Sequence, residues 1–209
     1  MKKLHPLLSV LFLIYWGCNT LEVKSINEDN SQSFEIRDDK MFLVNSQKLF
    51  SGTSYILFPN GTKMVERTWE NGEKNGPVTF CYENGQKRQV INFKDGIVDG
   101  IQVEWYENGQ KSSEVLRQND KQVGDNTGWD KNGNRTYRGI WNSGYFTGSW
   151  DGWYDNGQKR FEGNYKDGEF DGLITFWYED GKKMSEVTWK DGKEISKKEW
   201  NEDGSVKNN

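Results

Sequence analysis

The sequence predicts an all-β protein, an elongated and twisted antiparallel meander of tandem 24-residue β-hairpin repeats. The first observation is the heptapeptide WYENGQK at residues 105–111, which recurs in near copies at 81–87, 153–159 and 177–183, and in weaker copies at 57–63, 129–135 and 200–206. The second is that the turn glycines in these copies lie 24 residues apart, except for a last step of 23. The third is that two further glycine series, beginning at Gly52 and Gly72, keep the interval of 24. Three series in phase indicate a repeat protein.

Each repeat contains two turn signals and two strand signals. Asn-Gly or Asp-Gly dipeptides are flanked by runs rich in Val, Ile, Thr and aromatic residues, a pattern typical of β-hairpins, and these dipeptides favour type I′ turns with positive φ at both residues. The glycines at 85, 96 and 109 leave room for strands of roughly six to eight residues. A helix is disfavoured because interior glycine costs it about 1 kcal/mol each time.

The repeated residues also resemble a known family. The WYENGQK motif, the segment GNYKDG at 163–168 and the glycine four residues later at Gly172 resemble the MORN repeat, and more closely its bacterial variant in antitoxin-like proteins of the YwqK family. The resemblance covers residues 47–204. It implies an array in which each hairpin touches only its neighbours, and a binding or spacing role.

The N-terminus is interpreted as an export signal over residues 1–17. Lys2 and Lys3 precede a short apolar run at 7–16, which Gly17 and Cys18 close. A small residue before cysteine resembles the lipobox of bacterial lipoproteins, which implies acylation of Cys18 and a lipid anchor in the cell envelope. Tyr15 and Trp16 stand where that family usually has Leu and a small residue. An ordinary cleaved signal and an uncleaved anchor remain alternatives.

The rest of the chain divides into a tether and a repeat domain. Residues 18–40 are polar without a sustained period, which predicts a flexible, lipidated tether. Residues 41–209 form the predicted repeat domain. Its apolar start at 41–44 and 48–50 predicts a hairpin or cap for the array.

Phased aromatic residues predict a structural ladder. Aromatic residues recur at two positions of the repeat and so form two series. If both series lie on one face of the sheet, they interdigitate at single-strand spacing and form the core. An aromatic groove that binds a peptide or a glycan is the alternative. The members are Trp105, Trp129, Trp153 and Trp177 in one series, and Trp69, Phe93, Trp141, Tyr165 and Trp189 in the other. Period-2 alternation then places a tyrosine series on the opposite face as a candidate binding surface. Its members are Tyr82, Tyr106, Tyr154 and Tyr178.

A cationic series follows the turn glycines by two residues, and an acidic series precedes them by two. We expect each acid to offset the base across its turn, although a row that binds lipid phosphates is an alternative. One repeat departs from the pattern: Asn119-Asp120 lacks the turn glycine, and Arg117 replaces an aromatic residue. Either this repeat has decayed, or Arg117 belongs to a bend or to the candidate binding surface.

Composition limits the possible functions. The formal charge of −4 and the pI near 5.3 give no electrostatic reason to bind nucleic acid. Two cysteines and one histidine, His5, predict no metal site and no disulfide framework. The segment 130–134 superficially resembles a calcium loop, but a repeat turn explains it. No catalytic elbow or phosphate loop is present, so we expect no enzymatic activity and no small-molecule cofactor.

These observations predict an exported, membrane-anchored module that binds a protein partner of unknown identity through its sheet surface. An antitoxin- or immunity-like inhibitor of one toxin protein, a lipid- or glycan-binding surface module, and an enzyme with a site on the terminal caps are the alternatives.

Overall fold

The computed structural model describes residues 23–26, 34–44 and 46–207, so Cys18 and the export signal lie outside the described residues. All the regular elements described are strands. They are β1 (Val23–Ile26), β2 (Phe34–Arg37), β3 (Lys40–Leu43), β4 (Gly52–Leu57), β5 (Lys63–Glu70), β6 (Glu73–Cys81), β7 (Lys87–Lys94), β8 (Ile97–Val98), β9 (Gly100–Trp105), β10 (Lys111–Gln118), β11 (Lys121–Trp129), β12 (Arg135–Asn142), β13 (Tyr145–Trp153), β14 (Lys159–Lys166), β15 (Glu169–Phe170), β16 (Gly172–Trp177), β17 (Lys183–Lys190) and β18 (Lys193–Glu199). Within these ranges no helix is both long and apolar enough to span a bilayer.

Sixteen strands form one antiparallel sheet, and β2 pairs with β3 in a separate hairpin. From β4 to β18 the strands follow each other in chain order, with the short β8 and β15 pairing beside β7 and β14. The predicted antiparallel meander of 24-residue hairpin repeats is therefore confirmed. With about 4.8 Å between neighbouring strands, the fourteen strands on the main path span roughly 60 Å.

The two turns of a repeat belong to different types. At Asn71-Gly72 and its equivalents both central residues have positive φ (49° and 79°), as the predicted type I′ turn requires. At the Tyr82 turn positive φ occurs at Gly85 and not at Asn84, and the Tyr82 carbonyl accepts the Gly85 amide at 2.9 Å. The type I′ prediction is wrong here, because a three-residue loop with a left-handed glycine closes this hairpin.

Cross-strand pairing assigns the residues to two faces. Face A carries an unbroken line of directly opposed residues along the sheet, because antiparallel partners point to the same side. Part of this line runs Gln102, Val115, Asn126, Gly139, Trp150, Gly163, and it continues with the pair Ile174 and Val187. Face B carries the alternate residues, including Glu114 and Glu162. Val115, Ile174 and Val187 are buried on face A, which is the core side.

The N-terminal hairpin caps face A at the start of the array. Met41, Phe50 and Trp69 form a buried cluster, against which the partly buried Phe34 and Leu43 pack. The Met41 amide donates to the Gly72 carbonyl at 2.8 Å, which fixes the hairpin on the type I′ turn between β5 and β6. The predicted cap is confirmed.

Two strands fall inside the segment that we predicted as a tether. β1 pairs with β4 at the edge of the sheet, and β2 pairs with β3 in the cap. The prediction of a flexible tether over 18–40 is therefore wrong for Val23–Ile26 and Phe34–Arg37. Alternating apolar residues in FEIR complete the capping hairpin, although the segment is polar on average.

Candidate binding surface

The two aromatic series lie on opposite faces, so the predicted single ladder is wrong. Trp69, Phe93, Trp141, Tyr165 and Trp189 lie on face A, where each is paired with a glycine of the preceding strand. Trp105, Trp129, Trp153 and Trp177 each end a strand one residue after a face A position, which places them on face B. Of the nine, Trp69 is buried and the others are partly exposed.

The glycine partners explain the second glycine series. Gly148 faces Tyr165, and Gly172 faces Trp189, so each ring lies beside a residue without a side chain. On face A of the C-terminal half the rings also contact one another: Phe146 stacks on Tyr165 at 5.1 Å, and Phe170 lies 5.3 Å from Trp189. An aromatic ladder does form here, but it includes Phe146 and Phe170, which the sequence analysis did not single out.

On face B the tryptophans alternate with the cationic series. Lys111 pairs with Trp105 across the hairpin, and its ammonium lies 5.4 Å from the Trp129 ring, while Arg135 lies 5.5 Å from the Trp153 ring. The acids that neutralise the bases lie three residues after them: Lys63 pairs with Glu66, Lys111 with Glu114, Lys159 with Glu162, and Lys183 with Glu186. The predicted pairing across the turn is therefore wrong.

The candidate tyrosines connect one repeat to the next. The hydroxyl of Tyr82 donates to the main-chain oxygen of Trp105 at 2.8 Å, and that of Tyr154 donates to the oxygen of Trp177 at 2.7 Å. Tyr106 and Tyr178 bond in the same way to Trp129 and Trp200. All four are partly buried and their hydroxyls are held by main-chain oxygens, so only the rings are available to a partner, and their predicted role as a binding surface stays a prediction.

One turn in the array lacks this connection. Asp130 occupies the tyrosine position, and its carboxylate accepts the amides of Asn132 and Asn134 within its own loop. These bonds, with the Asn134 side-chain amide as the largest cause, lower the pKa of Asp130. Within residues 46–207 no side-chain hydrogen bond joins this turn to the Tyr154 turn, whereas Asn108 and Asn156 each donate to the following turn.

Arg117 keeps the regular geometry of its repeat. It pairs with Gly100 as the aromatic residues do with their glycines, and one guanidinium nitrogen donates to the Asp120 carbonyl at 3.1 Å. Asp120 adopts φ of 63° in place of the missing glycine, and its amide donates to the Val98 carbonyl. The two strands joined by this turn stay paired up to Gln118 and Lys121. The Arg117 Nε and the Trp141 Nε1 are buried donors with no acceptor among the described residues.

A cleft of about 400 Å³ opens beside Tyr82 and Tyr106. Arg88, Gln89, Glu104, Trp105 and Ser112 complete its lining. In the strand register Glu104 lies between Gln89 and Ser113 on face A, and the Gln89 amide donates to its carboxylate at 2.6 Å.

Sequence reasoning missed Glu104, Gln89 and Ser112, although a signal was present. At steps of 24 from Glu104 the repeats carry Ile56, Phe80, Gly128, Gly152 and Phe176, and the one other acid in that position is Glu199 of the last repeat, after its step of 23. The signal lies at a strand position whose residue varies from repeat to repeat, outside the recurring motif.

Four of the hairpin repeats match a family model. The matched residues are 74–95, 98–119, 146–167 and 170–191. The model is the MORN repeat variant. Each matched segment contains one hairpin closed by a tyrosine turn, such as β6 and β7 in the first MORN segment. The hairpin with Asp130, between the second and third MORN segments, lies outside the matched residues. A comparison with curated proteins found no match.

Proposed function

We propose that the protein is a non-enzymatic binding module, exported and anchored to a bacterial membrane through Cys18, which uses its sheet surface to bind a protein partner. The polar stretch in the middle of face A supports this proposal most directly. The face is apolar near Trp69 and Val78 at one end and near Ile174 and Val187 at the other.

The polar stretch comprises Gln89, Gln102, Glu104, Arg117 and Asn126. Amide and charged side chains in the centre of a sheet face contribute little to a core, because burying them without partners costs free energy. They supply the hydrogen bonds that give an interface its specificity.

Two unpaired donors at this stretch favour a partner that brings acceptors. A buried donor without an acceptor costs about 1–3 kcal/mol. The Arg117 Nε and the Trp141 Nε1 are such donors; Arg117 belongs to the polar stretch, and Trp141 lies on the same face, opposite Gly124. Both side chains are only partly buried as a whole, so they can turn these atoms outward to a carbonyl or carboxylate of a bound protein, which recovers that free energy.

The test is co-purification after cross-linking in native cells. Wild-type chain should retain a specific partner, and Arg117→Ala should lose most of it because the partner's acceptor is left unpaired. Arg138→Ala is the matched control, since Arg138 lies on face B in an ion pair with Asp125. Equal retention by both variants would refute a partner site on face A. A single stoichiometric partner would point to the inhibitor alternative.

The anchor has a separate test. Wild-type protein should incorporate labelled fatty acid and partition into detergent, because acyl chains on Cys18 add about 0.8 kcal/mol of membrane affinity per buried methylene. Cys18→Ala should abolish both, while Cys81→Ala should change neither. An unlabelled, detergent-excluded wild-type protein would rule out lipidation.

A further inference from the structure

The cleft beside Glu104 is built for a positively charged group. We propose that it takes a cationic side chain, guanidinium or ammonium, from the polypeptide that binds face A. This inference rests on the proposed function and adds the chemistry of one contact. Tyr82, Tyr106 and Glu104 are among the residues that line the cleft.

Another repeat of the same chain shows what occupies this position. Forty-eight residues after Tyr106 is Tyr154, and the guanidinium of Arg160 lies 5.8 Å from the centre of its ring. The residue that corresponds to Arg160 in the Tyr106 repeat is Ser112. Ser112 is too short to reach over the Tyr106 ring and instead lines the cleft. The cleft is therefore the place that an arginine fills elsewhere in the array.

The aromatic rings attract cations at this edge of the sheet. The Lys131 ammonium already lies 5.9 Å from the Tyr106 ring, on the side of the following turn. The tyrosine hydroxyls are held by main-chain oxygens at 2.8 and 2.9 Å, which fixes the ring planes. Fixed rings reduce the entropy lost on binding, and a cation over an aromatic face gains about 0.5–2 kcal/mol as it loses water.

Glu104 adds the opposite charge. Its carboxylate accepts from the Gln89 amide at 2.6 Å and lies 3.5 Å from that of Gln102, but within residues 46–207 no lysine or arginine forms an ion pair with it. A partly buried carboxylate with neutral donors retains acceptor capacity, and hydrogen bonds between ions are about twice as strong as neutral ones.

Arg88 is the competing charge at this cleft. It is exposed, and its guanidinium lies 5.7 Å from the Phe80 ring rather than in an ion pair with Glu104. Because Arg88 repels a bound cation, its removal should strengthen cation binding. This expectation separates the proposal from an anion site, for which Arg88 would be the anchor.

The first experiment uses capped tripeptides as probes, with nuclear magnetic resonance of the labelled protein as the readout. Acetyl-Gly-Arg-Gly-amide and its lysine analogue should shift the signals of Tyr82, Glu104 and Tyr106 in a saturable way, while the glutamine and glutamate analogues should not. Equal shifts from the glutamine analogue, preference for the glutamate analogue, or no shift from any probe would each overturn the proposal.

Charge-neutral variants locate the site. Glu104→Gln should weaken the arginine peptide about tenfold or more, because the charge-assisted bond is lost while the side-chain shape is kept. Glu114→Gln is the matched control on face B of the next strand, and it should bind like wild type. Arg88→Gln should bind the peptide more tightly. Weakening of the same size in Glu104→Gln and Glu114→Gln would overturn the assignment.

A variant can also fill the cleft from within. Ser112→Arg recreates the arrangement of Arg160 over Tyr154, so its tethered guanidinium should exclude the arginine peptide and weaken it at least tenfold. Ser112→Gln, which has a similar length without charge, should weaken it by less. Unchanged binding in Ser112→Arg would contradict the assigned position. If the peptides fail but Arg117→Ala still loses the native partner, this inference falls and the proposed function stands.

Discussion

The hydroxyl of Tyr106 donates a 2.9 Å hydrogen bond to the main-chain oxygen of Trp129, 23 residues ahead. The same bond recurs at Tyr82 and Tyr154 over the same separation. Each tyrosine thus joins the closed end of its hairpin to the next hairpin, beyond the ladder of strand hydrogen bonds. The stability of a repeat array is close to the sum of the stabilities of its repeats and of the contacts between adjacent repeats. The tyrosine hydrogen bond contributes to the contact between each pair of repeats that it joins.

Removal of the Tyr106 hydroxyl should weaken the contact between two adjacent repeats. Tyr106→Phe keeps the ring and leaves the Trp129 carbonyl without its donor, so we expect a loss of about 0.5–1.5 kcal/mol in the free energy of unfolding. Urea denaturation followed by tryptophan fluorescence measures it. Tyr145→Phe is the control, because Tyr145 is 64% exposed. Equal effects of the two changes would show that the bond contributes nothing.

Restoring the repeat motif at Asp130 should strengthen the contact between this turn and the next repeat. Asp130→Tyr places a hydroxyl as in Tyr106 and Tyr154, with the Trp153 carbonyl as its acceptor. Within the turn, Asn132 can then accept the Asn134 amide, as Asn108 accepts that of Gln110. Asp130→Phe supplies the ring without the hydroxyl. We expect the tyrosine variant to unfold at a higher urea concentration than the phenylalanine variant, by about 0.5–1.5 kcal/mol. The reverse order would show that the loop cannot present the side chain to the next repeat.

The separation of the two aromatic series predicts unequal costs of truncation. Trp69 is 2% exposed, packs in the cluster with Met41 and Phe50, and donates its indole N–H to Ser54 at 2.8 Å. Trp69→Ala should therefore cost roughly 3–5 kcal/mol. Trp105→Ala should cost less, because Trp105 is partly exposed at the edge of face B. Chemical denaturation of both variants measures the two costs, and equal costs would show that the burial of Trp69 does not set its contribution.

The thiol of Cys81 should react slowly. Burial, and then the nearby Glu66 carboxylate, raise the pKa of Cys81 above its ordinary value of 9.0, although Lys63 and Lys87 oppose the shift. Less thiolate is then present at a given pH, so alkylation by iodoacetamide at pH 8 should be slower than for a free cysteine amide. Glu66→Gln should accelerate it. Both proteins carry Cys18→Ala, so that one thiol remains of the two in the sequence.

The same shift links Cys81 to stability. A group whose pKa is raised on folding contributes stability below its unfolded pKa and loses it as the pH rises through the folded value. The contribution of Cys81 is therefore present below pH 9 and declines above it. Cys81→Ser should show a shallower alkaline loss of stability in pH-dependent denaturation. Parallel curves for the two proteins would argue against a raised pKa.

The sequence by itself determined the period, the strand content and the order of the strands. Asn-Gly and Asp-Gly dipeptides, β-branched runs and glycines in three phased series are local signals, and each acts within a few residues. A meander needs little more, because every hairpin pairs with the next one along the chain. Even the cap at Met41 and Phe50 followed from an apolar segment that precedes the first repeat.

Only the tertiary structure decided which residues face the same side and what they contact. Bulges shift the register between the middle of a strand and its turn, as between Gly128 and Trp129, and no local signal shows where they fall. The Tyr106 hydroxyl finds its acceptor 23 residues away, and the Glu104 cleft exists because Ser112 is short where another repeat has Arg160. These features depend on the distances between neighbouring repeats. Those distances are set by the packing of one hairpin on the next, and the sequence pattern of a single hairpin does not specify them.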